Sequence, residues 1–308
     1  MLEQTVRILN FDDSLIKQKG ILERYQAEII DLSSIGPLVR LWMSLKARDQ
    51  IKERLLGLSR NRITFLGSGD FHHISSVLID QFPEDICLII FDFHPDWDTL
   101  PPRLGCGSWV TEALRRKNIV KCISLGASSG DLSAWNIQSG NLKALEGDRL
   151  EIYPYLHTPT KVFFKEIPHN VSLKTEEGFL FQRIYWQQLK DYNLQDFFPG
   201  LIGRLPIKKV YLSIDKDCLK SEFALTNWEE GLFSLEELLF MLKLIKDNVE
   251  ILGVDIVGDY SPISLRSKFK ALISRLDHPK QVAAEKFPEE QILQVNTETN
   301  LRILEAIL

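Results

Sequence analysis

Aspartate and histidine gather at three points of this sequence, each just after a run of apolar, β-forming residues. After residues 62–66 (RITFL) comes Gly67-Ser68-Gly69-Asp70-Phe71-His72-His73. After 86–91 (ICLIIF) comes Asp92-Phe93-His94-Pro95-Asp96-Trp97-Asp98, and after 209–214 (KVYLSI) comes Asp215-Lys216-Asp217. Three of the six histidines therefore stand where three predicted strands end. Each piece alone also reads as a solvated loop with a helix cap. Their joint placement points instead to a metal site. Residues i and i+2 of an extended segment point the same way, so Asp92, His94 and Asp96 can fan around one point while Asp215 and Asp217 face them. Oxygen-rich ligation with two imidazoles suits Mn²⁺, with Zn²⁺, Fe²⁺, Co²⁺ and Ni²⁺ as alternatives. These ligands exceed what one tetrahedral ion takes. Bridging carboxylates would hold two ions about 3.5–4 Å apart, a pair able to generate hydroxide at neutral pH. The chemistry expected is that of a two-metal hydrolase.

Such residues need a scaffold that brings strand ends together. Continuous apolar runs at 62–66, 86–91, 120–125, 209–214 and 250–257 suit strands buried on both faces, as in a parallel sheet covered by helices. Helical patterns lie between them at 37–58, 108–117 and 234–248, and another closes the chain at 290–308. Ser234 followed by Glu237 is a capping box. The alternation predicts an α/β architecture with a mostly parallel central sheet, in which ligands bind beyond the carboxyl ends of the strands. Residues 127–181 break the rhythm with turns and weak strands. They are expected to be an elaboration, a small β-subdomain or lid, on a single domain spanning 1–308.

Composition narrows the function classes. The chain has 308 residues, 44% of them hydrophobic and 26% charged, enough for a large core. A net charge of -5 argues against nucleic acid, whose backbone demands clustered positive charge. No stretch approaches the roughly 18–20 apolar residues that cross a bilayer, and the first residues lack the order of a secretory signal. Cys87, Cys106, Cys122 and Cys218 are scattered, without a CxxC pair, which fits a reducing cytoplasm. A small-molecule substrate is expected, with a homo-oligomer left open.

The three motifs resemble those of the ureohydrolase family, which includes arginase, agmatinase and formiminoglutamase. The family's GGDH loop, DAHxD and SxDxD read here as 67–73, 92–96 and 213–217. Residues 226–234 (TNWEEGLFS) are similar to its GTPxxGGLT segment, and 253–262 (GVDIVGDYSP) to its last strand motif, DxVEVNP. The resemblance implies a three-layer α/β/α sandwich and a pair of manganese ions. One would be held by His72 or His73 with Asp92, Asp96 and Asp215. The other would take His94 and Asp217 and share Asp92 and Asp215. The histidine of the pair not bound to metal would be a proton shuttle or a packed residue.

Three departures from the family pattern bear on activity. The catalytic histidine of its GxxHG loop is replaced by Ser108 or Trp109. Its guanidinium-binding glutamate falls at Gly258 or Asp259. An asparagine that helps hold an amino-acid carboxylate is Asp98, which would repel such a group. L-Arginine is therefore not the expected substrate. The expected reaction is attack by a metal-bridging hydroxide on a guanidine, amidine, formimino or amide carbon, with an acid protonating the leaving nitrogen. Asp259, Ser108 and His73 are the catalytic candidates, and Asp98, Trp97 and Trp109 the substrate-binding ones. His157 and His169 are expected to be surface or structural residues, and Cys106 has no base partner to make it a nucleophile. A single-metal deacylase of the same fold, or a metal-binding homologue without activity, are the alternative readings.

Overall fold

The computed structural model describes residues 5–60, 62–265, 267, 270–271 and 287–308. Its strands are β1 (Val6–Asn10), β2 (Glu28–Asp31), β3 (Ile63–Gly67), β4 (Ile86–Phe91), β5 (Ile119–Gly126), β6 (Leu150–Pro154), β7 (Thr160–Phe163), β8 (Leu173–Gly178), β9 (Phe181–Trp186), β10 (Lys209–Asp215) and β11 (Glu250–Val257). The helices are α1 (Lys19–Tyr25), α2 (Gly36–Val39), α3 (Leu45–Leu55), α4 (Ser75–Ile79), α5 (Trp109–Ala113), α6 (Leu194–Gly203), α7 (Leu235–Asn248) and α8 (Glu289–Ile307).

Eight strands form one sheet in the order β2-β1-β3-β11-β10-β4-β5-β6, and every pairing in it is parallel. Strand β4 shows why helices must cover both faces. Ile86, Leu88 and Ile90 enter one core with α3, α4 and α5 through Ile51, Val77 and Val110. Cys87, Ile89 and Phe91 enter a second core with α6, α7 and α8 through Phe198, Leu238 and Ile303. The result is the expected three-layer α/β/α sandwich. Helix α7 begins as predicted: Ser234 Oγ accepts from Glu237 N while Glu237 Oε2 accepts from Ser234 N.

Two expectations are corrected. The helix expected over 37–58 is broken into α2 and α3. Between them Arg40, only 2% exposed, turns inward to Asp70, and Leu41 adopts a φ of 68°. A buried ion pair outweighs local helical periodicity here, and Ser44 then caps α3 through Ala47 N. The helix expected over 108–117 shortens to α5. In the region 127–181, β6 joins the main sheet beside β5, while β7, β9 and β8 form a separate antiparallel sheet. That small sheet packs Val162, Leu173, Ile184 and Trp186 against the first core. Among the described residues, no helix is long and apolar enough to cross a membrane.

Candidate metal centre

The central strands β3, β11, β10 and β4 are neighbours, so their carboxyl ends converge. A cavity of about 290 Å³ opens there, lined by His72, Asp92, His94, Asp96, Asp215 and Asp217 among others. A larger hollow, about 1040 Å³, lies at the opposite end of the sheet beside Lys209 and Glu250, away from these side chains.

Each ligand candidate is placed by a short local device. His72 rides on a 3-10 turn, Gly69–Ile74, that Ser68 caps through Asp70 N. His94 N donates to Asp92 Oδ1, and Asp217 N donates to Asp215 Oδ1, curling both strand ends back on themselves. The side chains then form two groups. His72 Nδ1 lies 3.1 Å from Asp92 Oδ2, 3.2 Å from Asp96 Oδ2 and 3.5 Å from Asp215 Oδ2. His94 Nδ1 lies 2.9 Å from Asp217 Oδ2 and 3.6 Å from Asp92 Oδ1. His72, Asp92 and Asp96 offer one compact donor set, and Asp92, His94 and Asp217 another. Asp92 belongs to both.

The electrostatics describe a centre short of positive charge. Burial and the charge of Asp92 push Asp96 up to about 7 and Asp217 up to about 6. Burial, then Asp217 and Asp92, raise Asp215 well above the carboxylate range. Burial opposes the charged forms of His72 and His94, but their carboxylate partners outweigh it and both are raised well above the ordinary imidazole value. Asp92 Oδ2 is buried and makes no hydrogen bond. Oxygen donors with imidazole nitrogens, mutually repelling and partly unsatisfied, fit one or two divalent cations.

Of the two adjacent histidines, the structure brings His72 into the cluster and leaves His73 outside it. His73 is fully buried, both ring nitrogens lack a hydrogen-bond partner, and burial pushes its pKa down to about 3. Its ring is packed away from the cavity lining.

Crystal structures of known enzymes share the whole architecture. Formimidoylglutamase from Bacillus subtilis aligns with 98% of this chain and 86% of its own, at a TM-score of 0.57 and 13% identity. Arginase from Bacillus subtilis aligns with 97% of both chains, at 0.55 and 14%. Formiminoglutamase from Trypanosoma cruzi, solved with Mn²⁺, aligns with 98% of this chain and 93% of its own, at 0.54 and 12%. This chain has the ureohydrolase fold. At such identities the likeness is one of fold alone. No protein-family model matches the sequence. An uncharacterised protein of Thermotoga maritima is 30% identical over 201 residues, 65% of this chain but only 59% of that relative.

Within the ureohydrolase fold, the remaining candidates separate. Asp98 and Trp97 line the cavity; Ser139 Oγ donates to Asp98 Oδ1, and burial raises the Asp98 carboxyl. Trp97 is 1% exposed and packs edge-on against Trp186, so only part of it reaches the wall. Trp109 sits behind the ligands: its Nε1 donates to Asp96 Oδ2 at 2.7 Å and its ring lies 4.8 Å from that of His72. Ser108 does not line the cavity, and its hydroxyl donates to Pro102 O. Asp259 is not brought to the cavity either, because it is fully buried against Lys216. Nor is any side chain possible at the preceding position. A Cβ on Gly258, whose φ is 89°, would meet Asp215 Oδ1 at 2.5 Å. His157 and His169 stand apart from the cavity. Cys106 lines it, but burial, then Asp96 and Asp70, hold its thiol well above the usual range. Asp131, Trp228 and Glu229 also line it and were not anticipated as site residues.

Proposed function

We propose that this chain is a metal-dependent hydrolase with two divalent ions, Mn²⁺ foremost, that cleaves a C–N bond of a guanidino, amidino, formimino or amide compound. The observation that carries this reading is the pair of donor groups that share Asp92. His72, Asp92, Asp96 and Asp215 would hold one ion, and His94 and Asp217 the other, with Asp92 and Asp215 between them. Bound there, the ions would lower the pKa of water and polarise the bond under attack.

The chain's own residues do the rest. Ser213 and Trp109 orient His72 and Asp96 from behind. Asp98, on the cavity wall, disfavours a substrate carboxylate, and among the described residues no Lys or Arg lines the cavity to offset it. That supports a substrate other than L-arginine. The four cysteines are free, which supports a reducing, cytoplasmic setting.

Elemental analysis after Mn²⁺ loading and desalting tests this reading. About two ions per wild-type chain, and none in an Asp92→Ala/Asp215→Ala double variant, are expected. One ion per chain would favour a single-metal deacylase. A second reading, a metal-binding protein without turnover, is favoured by one observation: among the described residues, the histidines lining the cavity are His72 and His94, both ligand candidates. Failure of the Mn²⁺-loaded protein to hydrolyse a panel of guanidino, amidino, formimino and amide compounds would support it.

A further inference from the structure

Strand β1 (VRILN) carries one charged residue, Arg7, and buries it: the side chain is 2% exposed. The sheet register sets Arg7 between Glu28 of β2 and Thr64 of β3. Its Nε donates to Glu28 Oε2 at 3.0 Å, and its Nη1 donates to the Ser59 carbonyl at 2.9 Å. The same Glu28 oxygen lies 3.2 Å from Arg62 Nη1, so two guanidinium groups share one carboxylate oxygen. Nη2 of Arg7 is buried and makes no hydrogen bond among the described residues. An unmet donor on a buried charged group is destabilising and calls for a partner.

Arg7 also lines a cavity of about 10 Å³, far smaller than the one of about 290 Å³ at the metal centre. That is room for one particle the size of a water molecule. Leu78, Phe82 and Val254 give it apolar walls, and Thr64, beside Arg7 in the sheet, lines it as well. A water bound to Nη2 would need acceptors for its own two protons, whereas an anion needs donors only. The acceptors of this corner are already taken. Glu28 and the Ser59 carbonyl are held by Arg7, and Glu84 and the Gln81 carbonyl by Arg60. Asp255 accepts from Tyr211 and Ser213. A guanidinium N–H beside apolar walls suits a small monovalent anion, and the volume leaves no room for phosphate, sulfate or a carboxylate.

We propose that this corner is a binding site for one small monovalent anion of chloride size, held by Arg7 Nη2. It lies toward the amino-terminal ends of β1 and β3, whereas the metal centre lies at the carboxyl ends of the strands, and it does not depend on the chemistry there. The anion meets N–H groups that the chain leaves unmet, through charge-assisted hydrogen bonds. It also offsets the charge that Arg7 and Arg62 bring to a single Glu28 oxygen. Arg7, Thr64 and Val254 come from β1, β3 and β11, so only the folded chain assembles the site. Anion binding therefore adds to folding stability by linkage.

The experiment uses the full chain, as wild type and as Arg7→Lys, which keeps the positive charge and removes the forked N–H groups. Crystals soaked in sodium bromide are searched for anomalous scattering. In solution, the melting temperature is followed as chloride replaces gluconate at constant ionic strength. Wild type is expected to show a bromide peak within hydrogen-bonding reach of Arg7 Nη2. Its melting temperature is expected to rise with chloride and to saturate, by about 2 °C or more. Arg7→Lys is expected to lose both the peak and the rise. Density for water alone at Nη2, with no anomalous signal, would overturn the proposal. So would a bromide peak without a chloride-dependent rise, which would be binding at crystal concentration only. An equal rise in Arg7→Lys would overturn it too, by placing the chloride effect elsewhere. If Arg7→Lys does not fold, the two wild-type measurements decide alone.

Discussion

Ser213 Oγ lies 2.9 Å from His72 Nε2 and donates its own proton to Asp255 Oδ1 at 2.7 Å. A hydroxyl that has spent its proton can only accept, so the N–H of His72 sits on Nε2. In the neutral ring Nδ1 is then left bare, and Nδ1 is the atom that faces Asp92, Asp96 and Asp215. The tautomer a metal ligand needs is therefore set from inside the sheet, by an aspartate that Tyr211 also anchors.

Ser213→Ala should then weaken metal binding without unfolding the chain. The substitution removes one buried acceptor and frees the His72 ring to take the wrong tautomer. An Mn²⁺ affinity lower by about 10–100-fold is expected. Competitive chelator titration measures it, and wild-type affinity in the variant would mean that the tautomer is fixed some other way.

The metal-free protein should lose stability as pH rises. Asp96, near 7, and Asp217, near 6, hold protons in the folded chain at pH values where unfolded carboxyls, near about 4, do not. The folded state thus binds more protons, so stability falls between about pH 4 and pH 8. The raised His72 and His94 act in the same sense, their stabilisation being present below about pH 6.5 and lost above their folded pKa. Asp92, held low by the two histidines against the effect of burial, opposes this only in acid below about pH 4. Metal binding needs the deprotonated ligands, so Mn²⁺ should reverse the trend. Melting curves in chelator and in Mn²⁺ should diverge from about pH 5 to pH 8. A constant gap across that range would disconnect these carboxylates from the metal.

The strands that carry this chemistry are legible in the sequence because their runs are buried on both faces. The ranges 86–91 and 250–257 coincide with β4 and β11. Strand β1 is not legible in the same way. Arg7 interrupts its apolar run and is buried only because Glu28 and the Ser59 carbonyl reach it from elsewhere in the chain. The site divides along the same line. The 92–96 motif positions its ligand candidates within five residues of chain, whereas Glu229 reaches the cavity because Trp228 bonds to Asp70, 158 residues away. Asp259 fails for a matching reason, since nothing near it in sequence discloses that Lys216 will claim it.

Lys216 and Asp259 should behave as a unit. Both are fully buried, and burial lowers the Lys216 pKa despite the opposing pull of Asp259. Asp259→Leu alone would strand a buried ammonium, and Lys216→Met alone would strand a carboxylate. Each should cost about 3–5 kcal/mol. The double variant, replacing both charges with apolar groups, should recover most of that loss. Urea unfolding of the four proteins closes the cycle, and additive losses would mean that the two charges do not depend on each other.

Trp109→Phe should separate the two ion positions. The indole N–H bonds to Asp96 Oδ2, and Asp96 holds a φ of 47°, a left-handed conformation that needs support from its surroundings. Its carbonyl is tied to Val110 N, so the carboxylate is aimed by Trp109 and the backbone by the next residue. Phenylalanine keeps the ring against His72 and removes only the donor. Asp96 belongs to the donor group with His72, while the His94–Asp217 pair does not touch Trp109 through any hydrogen bond. Bound Mn²⁺ should fall from about two ions toward about one per chain, with the remaining ion held at nearly wild-type affinity. Loss of both ions together would show instead that Asp92 couples the two positions so tightly that neither fills alone.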